Sequence, residues 1–342
     1  MIRIINHSEL SPSWNWLESL TQDPGIEWRQ STTQSFTTLN KLPKGVVLSR
    51  ILAARAAIEL SQTQQPVLVS HGPRPAFYAS LLSSQRTHPK HHLAFSFNFT
   101  TLPSAMRRGP MIRAYKKIER FVVASTLERS LYSRVFDIEP ERIHVQLWAV
   151  QPFLKENLPR PVPEGRYLCA VGAQGRDYRV LLDAMRKIPS CHLHLVTYPG
   201  NIAGMDVPKN VTVHFGVPFD FAAALVAHAD AMLLPLTGTQ VPCGHVTAVM
   251  AMHLGVPVMA TASEGLSDYL RKDDTAILFG AESANAIFEK ITAFLDDPSE
   301  AHACAARAKV FATEYCSEAS TVRYFQRYIK SCYGYTPNMT IP

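Results

Sequence analysis

The residues of this chain best suited to chemistry lie between Gly238 and Asp268 and just beyond two apolar runs elsewhere. Gly244-His245-Val246-Thr247 opens a segment, Val246–Leu254, that is apolar almost all round and reads as a buried helix. Gly255 fits the position just past the helix end, where φ is often positive. Val256–Thr261 then reads as a buried strand, followed by a polar loop with Glu264 and Asp268. Such a helix aims its N-terminus out of the core and offers free N–H groups and the positive end of its dipole to an anion. In a two-domain α/β enzyme, that anion is expected to be a nucleotide diphosphate. Gly175 and Arg176 lie in a second glycine-bearing loop, Gly172–Tyr178. A guanidinium there can hold the oxygens of an anionic group bidentately. The plainer reading is a surface arginine paired with Asp177. His71 follows the buried run Pro66–Ser70, where an imidazole can bond to a substrate hydroxyl or simply be satisfied by backbone. Arg74, Asn98 and Thr100 are weaker candidates for the same side, and Glu264 and Asp268 also suit turn chemistry and helix capping.

These residues need a scaffold of alternating elements, and the 342-residue chain is long enough for two α/β domains with real cores. Apolar content of 46% and charged content of 18% are ordinary for a globular protein. The net charge of +6 suits nucleotides or an anionic membrane surface. It is too small to argue for nucleic acid, and no nucleic-acid-binding signature accompanies it. Six scattered cysteines without a CxxC pair read as reduced, buried thiols of a cytoplasmic protein. Cys243 differs, because it sits beside a helix N-terminus where a thiolate is favoured. No apolar run is long enough to cross a membrane, and the opening MIRIINHSEL reads as a first strand and not a signal peptide.

Strands are expected at Met1–Asn6, Pro66–Ser70, His92–Phe97, Phe121–Ser125 and Ile143–Trp148. Helices are expected at Trp14–Leu20, Val46–Leu60 (amphipathic), Pro75–Ser84, Met111–Glu119 and Glu128–Phe136. Residues 152–165 are dense in proline and form the expected linker. Alternation resumes with strands at Tyr167–Gly172, His192–Thr197, Val211–Phe215, Ala231–Pro235, Val256–Thr261 and Ala276–Phe279. The helices between and after them are Leu181–Arg186, Phe221–His228, Val246–Leu254, Ala286–Leu295 and Ser299–Phe311. The predicted organisation is therefore two Rossmann-like parallel-sheet domains, 1–151 and 166–319, facing across one cleft. A last amphipathic helix within 320–342 packs back across the linker in this reading. Neither half carries GxGxxG or GxxxxGK[ST]; Asn6-His7-Ser8-Glu9 and Gly172–Arg176 take the place of the former, which argues against dinucleotide redox enzymes and P-loop kinases.

Several motifs fall in the order found in GT-B glycosyltransferases, and the chain resembles glycosyltransferase family four (glycosyl transferases group 1) most. Pro66–Pro73 resembles that family's PDVVHxHxP segment, Phe121–Ser125 its fVVxS strand, and Gly172–Tyr178 its phosphate-binding loop. His228–Pro235 resembles xADvxvxPS, and Ala251–Val258 resembles AMAxGxPV. The resemblance covers most of residues 66–329 and is more specific in the C-terminal half. It implies that residues 166–319 bind a nucleotide-sugar and that the N-terminal domain binds the acceptor. It places Arg176 at a lysine that contacts donor phosphates and His71 at a histidine near the reacting sugar. It implies retention of anomeric configuration, no metal ion and no cofactor other than the donor itself. One departure is plain. The family's Glu-x₇-Glu carboxylates, which contact the sugar and the ribose, fall on Pro242 and Met250. Either Glu264 or Asp268 reaches the donor from the next loop, or transfer has been lost and binding kept.

The expected function is metal-independent, hexosyltransferase-like transfer from a nucleotide-sugar to an acceptor hydroxyl of a glycan, lipid-linked sugar or natural product, within glycan biosynthesis. The alternatives are a non-catalytic homologue that binds a nucleotide-sugar or a partner protein, and an epimerase or phosphorylase of the same fold. The basic run Arg107–Arg120, with apolar Met111, Ile112, Tyr115 and Ile118, reads either as a peripheral contact with an anionic inner membrane face or as a core-packed helix with a solvated basic side.

Overall fold

The computed structural model describes residues 1–9, 23–99, 101–150, 154–163, 165–240 and 243–338, with Asn40 described by its backbone alone. The expected helix at Trp14–Leu20 and the candidates Thr100 and Pro242 lie outside the described residues. The chain forms two compact units: Met1–Gln146 together with Thr321–Pro342, and Leu147–Ser320.

The first unit carries β1 (Ile2–Ser8), β2 (Ile26–Thr32), α1 (Gly45–Leu60), β3 (Pro66–His71), α2 (Pro73–Leu82), β4 (His91–Phe95) and α3 (Ala105–Tyr115). It continues with β5 (Arg120–Val123), α4 (Thr126–Phe136) and β6 (Ile143–Val145), and ends in α10 (Glu318–Tyr333). Its strands form a parallel sheet of order β2-β1-β3-β4-β5-β6. Both faces are covered, as a parallel sheet requires. The two-residue strand period divides the core accordingly: Val67, Val69 and Val122 pack with Phe325 and Tyr328 of α10, whereas Ala94, Phe121 and Val123 pack with Tyr115, Tyr132 and Phe136.

The second unit contains β7 (Leu168–Val171), α5 (Tyr178–Met185), β8 (Leu193–Thr197), β9 (Val211–Phe215), α6 (Phe219–Ala227), β10 (Ala231–Leu234) and α7 (His245–Leu254). It closes with β11 (Val258–Thr261), β12 (Ile277–Phe279), α8 (Ala284–Asp296) and α9 (Ser299–Tyr315). Its sheet is again parallel, of order β12-β11-β10-β7-β8-β9. Cys169, Met232 and Leu234 point to one face with α7, and Leu168, Ala231 and Leu233 point to the other with α5. No described helix is long and apolar enough to cross a membrane.

Three expectations need correction. Strand β2 was not anticipated, because IEWRQST is polar at alternate positions, as suits a strand paired on one side only. The basic helix starts at Ala105, not Met111, and ends at Tyr115, not Glu119. Gly109-Pro110 reads as a breaker in sequence, yet the half-buried to exposed helix tolerates Pro110 in its interior, since water can take the carbonyl that the proline leaves free. Helix α1 is not amphipathic in the expected sense. It buries Gly45, Ser49, Ala53, Ala54 and Ala57 while Val46, Val47 and Leu48 stand at least 40% exposed. Small residues allow close approach to the sheet, and the larger aliphatics are left on the outer side.

Candidate functional site

In a doubly wound sheet, ligands bind beyond the strand C-termini where the strand order reverses, because the loops there diverge and open a crevice. In the second sheet that point lies between β7 and β10. The loops that follow these two strands carry Gly172–Asp177 and Pro235–Gly244. They are stitched together: Thr237 N–H donates to Gly175 O at 3.0 Å, Asp177 N–H donates to Pro235 O at 3.1 Å, and Arg176 bridges to Leu236.

Arg176 lies across this crevice. Its Nη2 donates to Thr247 Oγ1 at 3.0 Å and its Nη1 to Gln174 O at 2.8 Å. The guanidinium passes so close to Gly172 that a Cβ there would stand 2.6 Å from Nη2, and one at Gly244 would stand 3.7 Å from Nη1. Asp177 is not its partner; that carboxylate caps α5 by accepting from Val180 N–H at 3.2 Å. Among the described residues no carboxylate pairs with Arg176, and its enclosed Nε–H has no acceptor. A buried donor is nearly always paired in a folded protein, so this enclosed nitrogen is an exception among the described residues, and the two terminal nitrogens are what the guanidinium offers to a ligand.

The N-terminus of α7 faces the same arginine. Gly244 caps it with φ 96° and Gly255 ends it with φ 67°, both in the left-handed region that favours glycine. The amides of His245, Val246 and Thr247 have no intrahelical acceptor. Thr247 Oγ1 donates back to Gly244 O at 3.1 Å and presents its lone pair to Arg176. Val246 is exposed, so the first turn is reachable. The His245 side chain turns elsewhere. Its Nε2 lies 2.9 Å from Gly265 O, its ring stacks at a tilt 5.0 Å from Tyr269, and burial lowers its pKa. It is thus a neutral ring that braces the loop after β11. Glu264, in that loop, is exposed; its N–H donates to Thr239 O at 2.7 Å and its carboxylate lies 3.4 Å from Gln240 Nε2. It stands tied to the segment leading into Gly244. Cys243 is pushed up by burial, against the lowering influence of Arg176, so it is a thiol despite its place beside a helix N-terminus. Met250 is 1% exposed in the core and does not line the crevice.

The first sheet reverses between β1 and β3. His71 ends β3, its ring 5.8 Å from that of Phe95, and enclosure pushes its pKa down to about 4. Arg74 lies 3.6 Å from Glu9, which also accepts from Arg50 Nε at 2.5 Å. A small pocket at this point is lined by His7, Glu9, Thr33, Arg50, Pro75 and Tyr78. His7 is buried with Nδ1 3.3 Å from Ser31 O, its pKa is pushed down to about 4 by burial, and its Nε2 has no partner among the described residues. With the proton on Nδ1, which donates to Ser31 O, Nε2 is a buried lone pair. No spacing in the sequence marks His7, Glu9 and Arg50, although Asn6-His7-Ser8-Glu9 stands where a dinucleotide-binding fold carries its glycine-rich turn. Asn98 is committed: its Nδ2 donates to Glu128 Oε1 at 2.6 Å, and Glu128 further accepts from Ala124 N–H and Ser125 Oγ. Of the basic run, Lys117 donates to Ser80 O and Ser83 O, and Arg120 lies over the Tyr328 ring at 4.8 Å. Arg107, Arg113 and Lys116 stay exposed, Lys116 within 3.8 Å of Asp137, which leaves a thinner basic surface than the sequence implies.

Comparison with known proteins agrees with this architecture. Residues 165–297 match the family model described as glycosyl transferases group 1. No curated protein matches the chain by sequence. A glycosyltransferase from Rickettsia africae is similar in structure, with 14% identity, 97% of this chain and 98% of that one covered, and a TM-score of 0.72. HepE from Anabaena, solved with UDP, is 13% identical over 96% of this chain and 99% of its own, with a TM-score of 0.73. Sucrose-phosphate synthase from Thermosynechococcus elongatus is 15% identical over 97% and 99%, with a TM-score of 0.69. The chain has the two-domain GT-B fold of glycosyltransferases, and residues 165–297 carry the sequence pattern of the group 1 glycosyltransferases.

Proposed function

We propose that the chain transfers a sugar from a nucleotide-sugar to an acceptor hydroxyl, with the donor diphosphate on the second unit and the acceptor on the first. The observation that carries this reading is the Arg176 guanidinium, held at the open N-terminus of α7 by Thr247 and Gln174 with no carboxylate partner among the described residues. Two sources of positive potential then converge on one place, and a diphosphate leaving group is where such stabilisation lowers a barrier. The neighbours solved with UDP and with UDP-glucose favour a uridine donor as the first to try. Glu264, at the rim of the same crevice, is the carboxylate nearest to replacing the family's sugar-contacting one. On the first unit, His71, whose ring is neutral at pH 7, and the exposed Arg74 beside Glu9 are assigned to the acceptor side. Retention and metal independence follow the family resemblance alone.

The second reading, a homologue that binds a nucleotide-sugar without turning it over, draws on Met250, a core residue where the family carries a ribose-contacting carboxylate. One experiment separates the two. Release of nucleoside diphosphate is measured over a panel of nucleotide-sugars, with and without simple sugar acceptors. Release that falls about 10²–10³-fold in Arg176→Ala supports transfer. Tight nucleotide binding without turnover supports the binding homologue, and no binding at all overturns both.

A further inference from the structure

We propose that His91, Glu119 and Cys332 form a binding site for one zinc-type divalent cation, which fastens the C-terminal helix α10 to the sheet of the first unit. One ligand atom from each (a His91 ring nitrogen, a Glu119 carboxylate oxygen and Cys332 Sγ) lies within 4.8 Å of both others. Among the described residues this is the one such group of three. Tetrahedral zinc with bonds of about 2.0–2.3 Å holds its ligand atoms roughly 3.3–3.8 Å apart. The His91–Glu119 pair already stands at 3.1 Å, so loading requires only a small inward movement of the Cys332 side chain.

The ligands come from three elements whose relation is fixed. His91 opens β4, Glu119 directly precedes β5, and these strands are neighbours in register, Leu93 opposite Arg120. Cys332 lies in the last turn of α10, whose Phe325, Tyr328 and Ile329 are buried against the same sheet. The group therefore sits at the N-terminal ends of the strands, at the opposite edge from His7 and His71. Its surroundings orient it as outer partners orient metal ligands. Tyr328 O–H donates to Glu119 Oε2 at 2.8 Å, and the Tyr333 ring packs edge-on to His91 at 4.9 Å. Tyr333 is itself held by its bond to Pro66 O at 2.7 Å.

The donor set selects the ion. One nitrogen, one oxygen and one sulfur suit borderline zinc, whereas magnesium and calcium prefer oxygens alone. The proton account is simple. The His91 ring binds through one nitrogen and keeps its proton on the other, and the Cys332 thiol gives its proton to solvent. A dication with one thiolate and one carboxylate is then neutral overall, which a half-buried site beside the Arg120 guanidinium tolerates. Glu119 keeps about one-third of its side-chain surface exposed, which gives the ion a way in. Sequence spacing gave no sign of this group, since its members are brought together only by the return of α10.

The test uses the full chain without a histidine tag, stripped with a chelator and titrated with Co²⁺. The expected result is a single equivalent bound with a thiolate-to-cobalt charge-transfer band, displaced by Zn²⁺. Cys332→Ser, which keeps the shape of the side chain, is expected to lose the band and to bind at least about ten-fold more weakly, as is His91→Ala. Zinc is also expected to protect Cys332, alone of the six thiols, from alkylation in the unmutated protein, a measurement that does not depend on any variant folding. A titration without a thiolate band, a band that survives in well-folded Cys332→Ser, or alkylation of Cys332 at the same rate with and without zinc overturns the proposal.

Discussion

Arg176 is fixed before any ligand arrives. Thr247, Gln174 and the close backbone of Gly172 leave its guanidinium little freedom, so the charge is already where a diphosphate would need it and no reorganisation accompanies binding. The glycine at 172 is part of this device on two counts: its φ is 131°, and any Cβ would strike the guanidinium. Gly172→Ala is therefore expected to strain the backbone by about 1–3 kcal/mol and to displace Arg176. The measurements are a denaturant midpoint and nucleotide affinity by calorimetry, and the expected outcome is a lower midpoint together with weaker binding. Unchanged binding in a folded variant would mean that the guanidinium position is not what holds the ligand. Arg176→Lys is expected to recover only part of the affinity lost in Arg176→Ala, because an ammonium cannot reproduce the bidentate fork or reach both Thr247 and Gln174.

At the scale of elements, α7 divides its first turn between two tasks. Its amides and Thr247 face Arg176, while the His245 ring reaches back to Gly265 and fixes the loop that carries Glu264. His245→Ala is expected to cost about 1–3 kcal/mol, since it leaves Gly265 O without its donor and opens a gap beside Tyr269. Nucleotide affinity is expected to change only a few-fold, because the side chain points away from the crevice. A loss of binding as large as that of Arg176→Ala, with the unfolding midpoint unchanged, would assign the ring to the ligand instead. The anion-facing helix was legible in the chain because its start, its glycine stop and its apolar faces are all local signals. The direction of the His245 ring was not, since it depends on a loop twenty residues further on. The same division holds for the strands. Buried runs such as Leu168–Val171 announce themselves, but β2 is polar at alternate positions and gains its place only by pairing with β1. The pocket around His7 was hidden for a related reason, since Glu9, Arg50 and Tyr78 meet only once β1, α1 and α2 are assembled.

Over the whole molecule, histidine burial is uneven, and this makes acid stability a property of one unit more than the other. In the first unit, burial pushes His7, His71 and His88 down to about 4 and holds His92 well below the ordinary imidazole value. His92 and His88 also belong to one polar chain inside the unit: Ser70 Oγ lies 2.8 Å from His92 Nε2, His92 Nδ1 lies 3.2 Å from His88 Nε2, and His88 Nδ1 lies 2.7 Å from Ser83 Oγ. A second proton cannot enter this chain without setting two cations side by side. In the second unit His245, His253 and His214 are lowered too and His194 is pushed to about 4; His194, like His71 and His88, is only half-buried, so solvent moderates the contribution of these three, and the fully enclosed His7 and His92 weigh most. The sign follows from linkage. A ring with a depressed folded pKa stays neutral in the native state while the unfolded chain binds a proton below about 6.5, so stability is full above that pH and falls as the pH drops towards 4. For a ring as enclosed as His7 the loss reaches about 2 kcal/mol by pH 5. Several such rings in one unit make a loss of this order large beside the 5–15 kcal/mol typical of a whole domain. Hydrogen exchange corrected for intrinsic rates, at pH 7 and pH 5, is expected to show β1, β3 and β4 losing protection while β7, β10 and β11 keep most of theirs. His92→Gln, which preserves a donor and an acceptor without a titrating ring, is expected to flatten the pH response of the first unit. Equal losses in both units, or a His92→Gln protein as acid-sensitive as the parent, would show that the buried histidine chain does not set the acid limit.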